Sequence, residues 1–400
     1  MNTGNAILRV WWLAGVLLLT ACSATHQNVR EDTQVQRSDS EVVESQLLDV
    51  WITLFDSGEL PDDEDDAKGL SIEIREAEAR YMPLLLRDTL ERTGYWGAVR
   101  VVPGGTEGGE VRVHGTILVS DGEHLELMIT AQDATGFEWF RHSYEAEAML
   151  EDYQRTAATG RDVFQALYNT IANDLAQHRL TLSQSEVTNI RRVAGLRFAA
   201  DLAPDAFDGF LDEKDGEFSV QRLPAEGDPM VGRINAIRER DFLLVDTLNG
   251  HFDNFHAEMQ DPYFQWRKTR LEELEAMREI ERQARNRKLL GAAAIIGAIA
   301  IEAMGGDSTR ASTGSLRNMM IVGGAYAIKT GFDKDSEATI HQDAVEELGE
   351  SFAAETQPLV VEVEGETHEL TGSAENQYQQ WRGLLRRIYA TETGLIDATQ

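Results

Sequence analysis

The spacing of apolar and polar positions changes several times along the chain, and each change marks an element. Residues 47–55 (LLDVWITLF) form a short apolar run of strand length that closes at Asp56-Ser57-Gly58. Over 72–93, Ile74, Ala77, Tyr81, Leu84, Leu85 and Leu90 recur at helical spacing, with Gly94 as a stop. Residues 95–102 read as a second strand. From 110 to 146 the period drops to two in three successive segments, VRVHGTILV, HLELMITAQD and EWFRHSYEAE, separated by Asp121-Gly122 and Thr135-Gly136. Such pairs favour tight turns, so an antiparallel meander is expected. Residues 163–180 return to a helical period.

Beyond this point the pattern is helical almost throughout. Residues 185–202 stop before Pro204, and 229–259 and 263–290 read as two long helices, with Gly250 a candidate break in the first. The second is amphipathic. Leu271, Leu274, Met277, Ile280 and Ala284 form its stripe, while Arg282, Arg285, Arg287 and Lys288 crowd the last turns, where positive charge complements the helix dipole. Nearer the C-terminus, a helix over 337–354, a hairpin around Glu364-Gly365 and a closing helix over 375–391 with Tyr378, Trp381 and Leu385 on its apolar face are expected. The fold class is therefore α+β. A mainly antiparallel sheet with helices on one face occupies 42–184, and a mostly helical region with a long amphipathic helix occupies 185–288. A glycine-rich helical hairpin (289–329) and a helix–hairpin–helix segment (330–400) complete the chain.

Composition narrows the partners. Sixty-nine Asp+Glu against 37 Lys+Arg give a net charge of −32. Binding to polyphosphate relies on basic side chains that displace counterions, so no nucleic-acid partner is expected. A single cysteine, Cys22, leaves no intrachain disulfide and no Cys-cluster metal site. It sits in a telling place: Arg9, the apolar run 10–19 and then Leu19-Thr20-Ala21-Cys22 have the layout of a secretory signal. The apolar run is too short for a spanning helix, which needs about 20 residues. The tetrad resembles the lipobox of bacterial lipoproteins. That resemblance implies a signal peptide over 1–21, cleavage after Ala21, a diacylglyceryl group on the Cys22 sulfur and an acylated new amino terminus. Several acyl chains hold a protein to a bilayer far more firmly than one. In enterobacterial lipoproteins, Asp after the cysteine is the usual inner-membrane retention signal. Ser23 stands there instead, which points to the outer membrane and a body facing the periplasm. Residues 22–41 are polar, without periodicity, and read as a flexible tether.

Two further resemblances concern the body. The element order over 42–184, with Gly115-Thr116-Ile117-Leu118 and Asp133-Ala134-Thr135-Gly136, is similar to the small α/β domains of envelope lipoproteins. These include the curli-secretion lipoprotein, the penicillin-binding-protein activator lipoproteins and the N-terminal domain of the Tol-system propeller protein. It implies protein–protein contact and carries over no catalytic residue. Residues 289–304 (LLGAAAIIGAIAIEAM) and 319–328 (MMIVGGAYAI) place small residues four apart, Ala293 with Gly297 and Gly323 with Ala327, and Gly291 and Gly324 add to both. Such spacing lets helix backbones approach closely. The pair resembles the glycine-zipper hairpins of envelope lipoproteins. The unbroken apolar stretch 290–301 covers about 18 Å of helix against a hydrocarbon core of about 30 Å, so close packing or self-association is favoured over membrane insertion.

Chemical motifs are sparse. No G-x-x-x-x-G-K-[ST], G-x-S-x-G or H-E-x-x-H occurs. The acidic stretches 61–69, 211–220 and 331–341 lack the register of a calcium loop. His251 and His256 fall about 140° apart on a helix and do not converge on a metal. The expectation is a non-enzymatic, lipid-anchored binding or assembly module of the bacterial envelope, with no cofactor or metal. Its partners would be the membrane, an envelope protein and, through the hairpin, a second copy. The rival readings are a membrane-inserting or pore-forming oligomer and, behind it, a cell-wall hydrolase built on two converging carboxylates.

Overall fold

The computed structural model describes residues 25–30, 32–61, 70–104, 108–302, 341–351, 358–363 and 366–393. Its fold class is α+β. Six strands, β1 (Thr25–Asn28), β2 (Val50–Thr53), β3 (Val99–Val102), β4 (Val111–Ser120), β5 (His124–Asp133) and β6 (Glu138–Glu147), form one sheet in the order β1-β6-β5-β4-β2-β3. The meander β4-β5-β6 is antiparallel, with its register fixed by alternation: Val111, Val113, Ile117, Leu125, Leu127, Ile129 and Tyr144 all point into the core. The flanks are parallel, β1 to β6 and β2 to both β3 and β4, so the sheet is mixed. Parallel neighbours need a crossover, and α1 (Ile72–Glu91) supplies it between β2 and β3.

Helix α1 begins where Ser71 Oγ accepts the Ile74 N–H at 3.1 Å. All six apolar positions marked by its period are buried. After β6 come α2 (Leu150–Ala157), which the sequence pattern did not reveal, and α3 (Gln165–Thr181). Helices α1 and α3 pack on each other and on the inner sheet face, against β4 and β6 respectively. On the outer face of β4, Arg112, His114, Thr116 and Leu118 are half-buried or exposed.

Of the flexible tether expected over 22–41 from its polarity, residues 25–30 and 32–41 are described, and they are held to the body. Thr25–Asn28 pair with His142–Glu145, and the following chain is held by side chains of α3. Asn169 Nδ2 donates to the Thr33 carbonyl at 2.8 Å, and Asn173 accepts from Gln36 N at 2.7 Å while donating to the Gln34 carbonyl. Polar residues that satisfy backbone groups along a sheet edge leave no hydrophobic period to read.

Helix α4 (Gln184–Leu202) opens on a capping box of Ser183 and Glu186. A short α5 (Pro204–Phe207) leads to the hairpin β7 (Leu211–Lys214) and β8 (Glu217–Val220), which turns at Asp215-Gly216. Then α6 (Pro229–Glu302) runs for 74 residues, about 110 Å, straight through Gly250 and Pro262. The expected division into two helices is thus corrected: Leu248, Phe252, Phe255, Met259, Tyr263 and Trp266 keep one buried stripe across both breakers, and tertiary packing overrides the local signal. Helix α7 (341–351) returns to α1, where Ser71 Oγ donates to Glu346 Oε1 at 2.7 Å and Gly349 abuts Ala77. The hairpin β9 (Leu359–Val363) and β10 (Glu366–Leu370) leads to α8 (Ala374–Thr393), whose Trp381, Leu384, Leu385 and Ile388 are buried against α6 and α4.

Candidate functional site

The polar groups that the fold gathers most tightly lie along α6, where it crosses the body from one end of the sheet to the other. Where it meets the sheet, Phe242 packs on the Trp51 ring edge-on and Arg100 Nε donates to Asp246 at 2.6 Å. One turn on, the Asn249 amide brackets Val101, accepting its N–H and donating to its carbonyl, each at 2.9 Å. Asp253 then takes Arg87 Nη2 at 2.5 Å.

At the far end of the sheet this line becomes a buried knot. Glu78 of α1 is fully enclosed and its Oε1 accepts from Ser120 Oγ at 2.5 Å and from Tyr263 OH at 2.7 Å. Burial raises its pKa, against the pull of Arg75 and the two hydroxyls. Arg267 lies over the Tyr263 ring and reaches Asp162 Oδ2 at 2.5 Å, in a pair whose side chains are 2% and 3% exposed. Burial, the largest single influence, works against the Arg267 charge, but Asp162 together with Tyr263 and Tyr153 outweighs it and its pKa is raised. Gly122 permits the final approach. Its φ is +91°, and a Cβ there would lie 2.4 Å from the Arg267 carbonyl oxygen. Beyond it, Arg278 holds both oxygens of Glu123 at 2.5 Å, a bidentate pair.

A second knot joins α8 to the beginning of α6. Asp241 is fully buried and accepts from Trp381 Nε1 at 3.1 Å, Tyr378 OH at 3.4 Å and Arg382 Nη1 at 3.4 Å. Burial pushes its pKa up to about 6 even with Arg382 beside it.

These arrangements are built to hold. Glu78 and Asp241 have no solvent-facing surface, so neither meets a substrate from solution. Beside the first knot lies a crevice of about 250 Å³ lined by Tyr81, Arg92, His256, Gln260 and Arg267. His256 stacks on Tyr81 at 4.9 Å, and burial lowers its pKa, keeping it neutral near pH 7. His251 and His256 do not converge, and Asp253, between them in sequence, is taken by Arg87. Among the described residues, Glu123, His124 and Glu147 are the one trio whose ligand atoms come within 4.8 Å of one another. Arg278 occupies Glu123 there, and Asp121 faces His124 at 3.6 Å.

Of the residues singled out from the sequence, Gly291, Ala293 and Gly297 fall on the backbone of α6, about 30 to 40 Å past Leu271, the last of its side chains described as buried. Ala21, Cys22, Gly323, Gly324 and Ala327 lie outside the described residues. The buried charges were the part sequence reasoning missed. Their signal was present: Arg75 and Glu78 interrupt the apolar stripe of α1 between Ile74, Ala77 and Tyr81, and Arg267 and Arg270 precede Leu271.

Comparison of the chain with protein-family models, with curated proteins and with solved structures gave no match. Among the described residues no helix is long and apolar enough to cross a membrane.

Proposed function

We propose that this protein is a non-catalytic, lipid-anchored binding or assembly module of the bacterial cell envelope, held in the outer membrane through Cys22 and facing the periplasm. In this reading it carries a glycine-rich helical segment at a distance from its own membrane. The supporting observation is that the chain enters the sheet at one end and α6 leaves it at the other. Strand β1 runs parallel to β6, with Thr25 level with His142, so its first residue faces the end where β5 turns into β6. Helix α6 meets the sheet at that same end, where Phe242 and Asp246 lie beside Trp51 and Arg100, and passes Gly122 and Glu123 at the opposite one. From Phe242 to Arg267 it advances about 38 Å, close to the length of about 33 Å of ten-residue β4, so helix and strands run nearly alongside each other.

Gly291 lies a further thirteen residues past Arg278, about 20 Å of helix. To put that segment into the bilayer that holds Cys22, α6 would have to be pulled off Glu78, Asp162 and Glu123. This weighs against the pore-forming reading and for a strut that presents the segment to a protein partner or to a second copy.

The test combines metabolic labelling with an alkyne fatty acid and a photo-crosslinking residue at exposed Gln283, in cells making the full chain. The expected result is an acyl label lost in Cys22→Ala and a crosslink at 283 to a discrete partner or to a second copy. A chain without acyl label overturns the anchor. Dye release from liposomes by the acylated protein overturns the strut in favour of a pore.

A further inference from the structure

We infer that the corner of the sheet carrying Phe137 and Leu180 rests directly on a zwitterionic lipid surface, the one that holds Cys22. The inference rests on acylation of Cys22 and adds to it an orientation and a contact.

The first support is reach. Only Ser23 and Ala24 separate Cys22 from Thr25, so three residue steps, about 10 Å at full extension, join the lipid to the sheet. Strand β1 gives no slack beyond that. It pairs with β6 over four residues, Gln27 Nε2 donates to Asp174 Oδ2 at 3.0 Å, and Val29 N donates to the Glu145 carbonyl at 2.8 Å. An anchor this short holds the body against the surface.

The second support is what stands at that end. Phe137, at the turn into β6, is 53% exposed, and Leu180, in the last turn of α3, is 61% exposed. They flank one structure: His178 stacks on Trp139 at 4.5 Å and lies 6.4 Å from the Phe137 ring. Strand β1 runs parallel to β6, so Thr25, its first residue, faces the end of the sheet that carries Phe137. An aromatic and an aliphatic side chain beside an acyl anchor can enter the headgroup boundary together with it.

The third support selects the lipid. The β7–β8 hairpin lies next to Phe137, with the Gly216 carbonyl against Gly136, and brings Asp212, Asp215 and Glu217 to this end beside Glu186; the cations there are Lys214, Arg141 of β6 and Arg197, the last lying over the Phe218 ring and donating to the Ala134 carbonyl. That acidic border is repelled by anionic headgroups and tolerates zwitterionic ones.

Acylation would consume the only cysteine, so an introduced one can be labelled selectively. Phe137→Cys, Leu180→Cys and Met149→Cys would be made in the full-length acylated protein, labelled with an environment-sensitive dye and reconstituted in phosphatidylcholine vesicles. Met149 is the control: it is 52% exposed and sits at the opposite end, next to Ala148, whose N–H donates to the Glu123 carbonyl. The expected result is blue-shifted emission and quenching by nitroxide-bearing lipid at 137 and 180, with neither at 149. Mass analysis of the N-terminal peptide from the same samples reports on Cys22. Acylated Cys22 with 137 and 180 as unquenched as 149 overturns the contact and leaves the anchor standing, whereas unmodified Cys22 overturns both. Loss of the contact on adding phosphatidylglycerol agrees with the acidic border; stronger quenching on that addition overturns the zwitterionic assignment.

Discussion

Up to Leu271, α6 is a spine: Ile234, Ile237, Val245, Leu248, Phe252, Met259 and Tyr263 are buried, and Asp241, Arg267 and Arg270 are enclosed with them. After Leu271 the same helix changes character. Glu275, Ala276 and Arg278 are exposed, as are Arg282 and Gln283, and the bidentate pair of Arg278 with Glu123 joins this outer stretch to the sheet. The backbone does not register the change, since its hydrogen bonds continue to Glu302. The difference teaches that helix propensity extends α6 while tertiary burial decides where it belongs to the body. Substitutions before Leu271 should therefore act on folding, and those after it on what the helix reaches.

The sharpest break of that contrast is Arg267→Met. It leaves Asp162 buried without its partner, a change that typically costs about 3–5 kcal/mol. Urea unfolding of the full chain should show a loss of that size. Adding Asp162→Asn should recover a large part, because removing both charges is far milder than removing one. A single-variant loss below about 1 kcal/mol would mean that the knot does not fasten α6.

Next comes Asp241, where pH is the lever. Its carboxyl has an ordinary value of 3.8 when unfolded and about 6 in the fold. Between those values the folded chain keeps a proton that the unfolded chain releases, so its contribution to stability is full below about pH 4 and is lost as pH rises through about 6. At about 1.4 kcal/mol per pKa unit the window holds about 3 kcal/mol. Asp241→Asn should remove that slope, and the wild-type minus variant difference in unfolding free energy measured from pH 4 to 7 checks it. A difference that is flat with pH would place the proton elsewhere.

The periodic parts of this molecule could be read from its sequence and the partnered parts could not. VRVHGTILV, HLELMITAQD and EWFRHSYEAE announced the meander because alternate residues face one core, and Ile74 to Leu90 announced α1 for the corresponding helical reason. Strand β1 gave no such sign, since its four residues THQN hold the sheet edge by backbone pairing and side-chain amides. Gly250 and Pro262 signalled a break that packing on Trp51, Tyr81 and Glu78 prevents. The buried charges were visible as letters, but what makes Arg267 a fastener is Asp162, 105 residues away.

On the outer side of the comparison the expected effects shrink. Arg278→Ala removes the described link between the outer stretch and the sheet, yet Arg278 is 56% exposed and its pair with Glu123 should be worth about 0.2–1 kcal/mol. A melting-temperature shift at the limit of measurement is expected. A loss comparable to that of Arg267→Met would extend the spine past Leu271.

Gly297→Leu should be the quietest of all in a folding experiment and the most informative outside it. The position lies twenty-six residues beyond Leu271, the last side chain of α6 described as buried, so the unfolding free energy should stay within about 0.5 kcal/mol of wild type. The small residue is expected to serve close helix approach, which a leucine side chain would block. The association state of the full-length chain, followed by analytical ultracentrifugation, should therefore change while the melt does not. If the melt falls, the glycine-rich segment is folded into the body and the spine is longer than its burial indicates. If neither moves, close packing through Gly297 is not what the outer stretch is for, and the strut must engage its partner through the charged turns between Glu275 and Lys288.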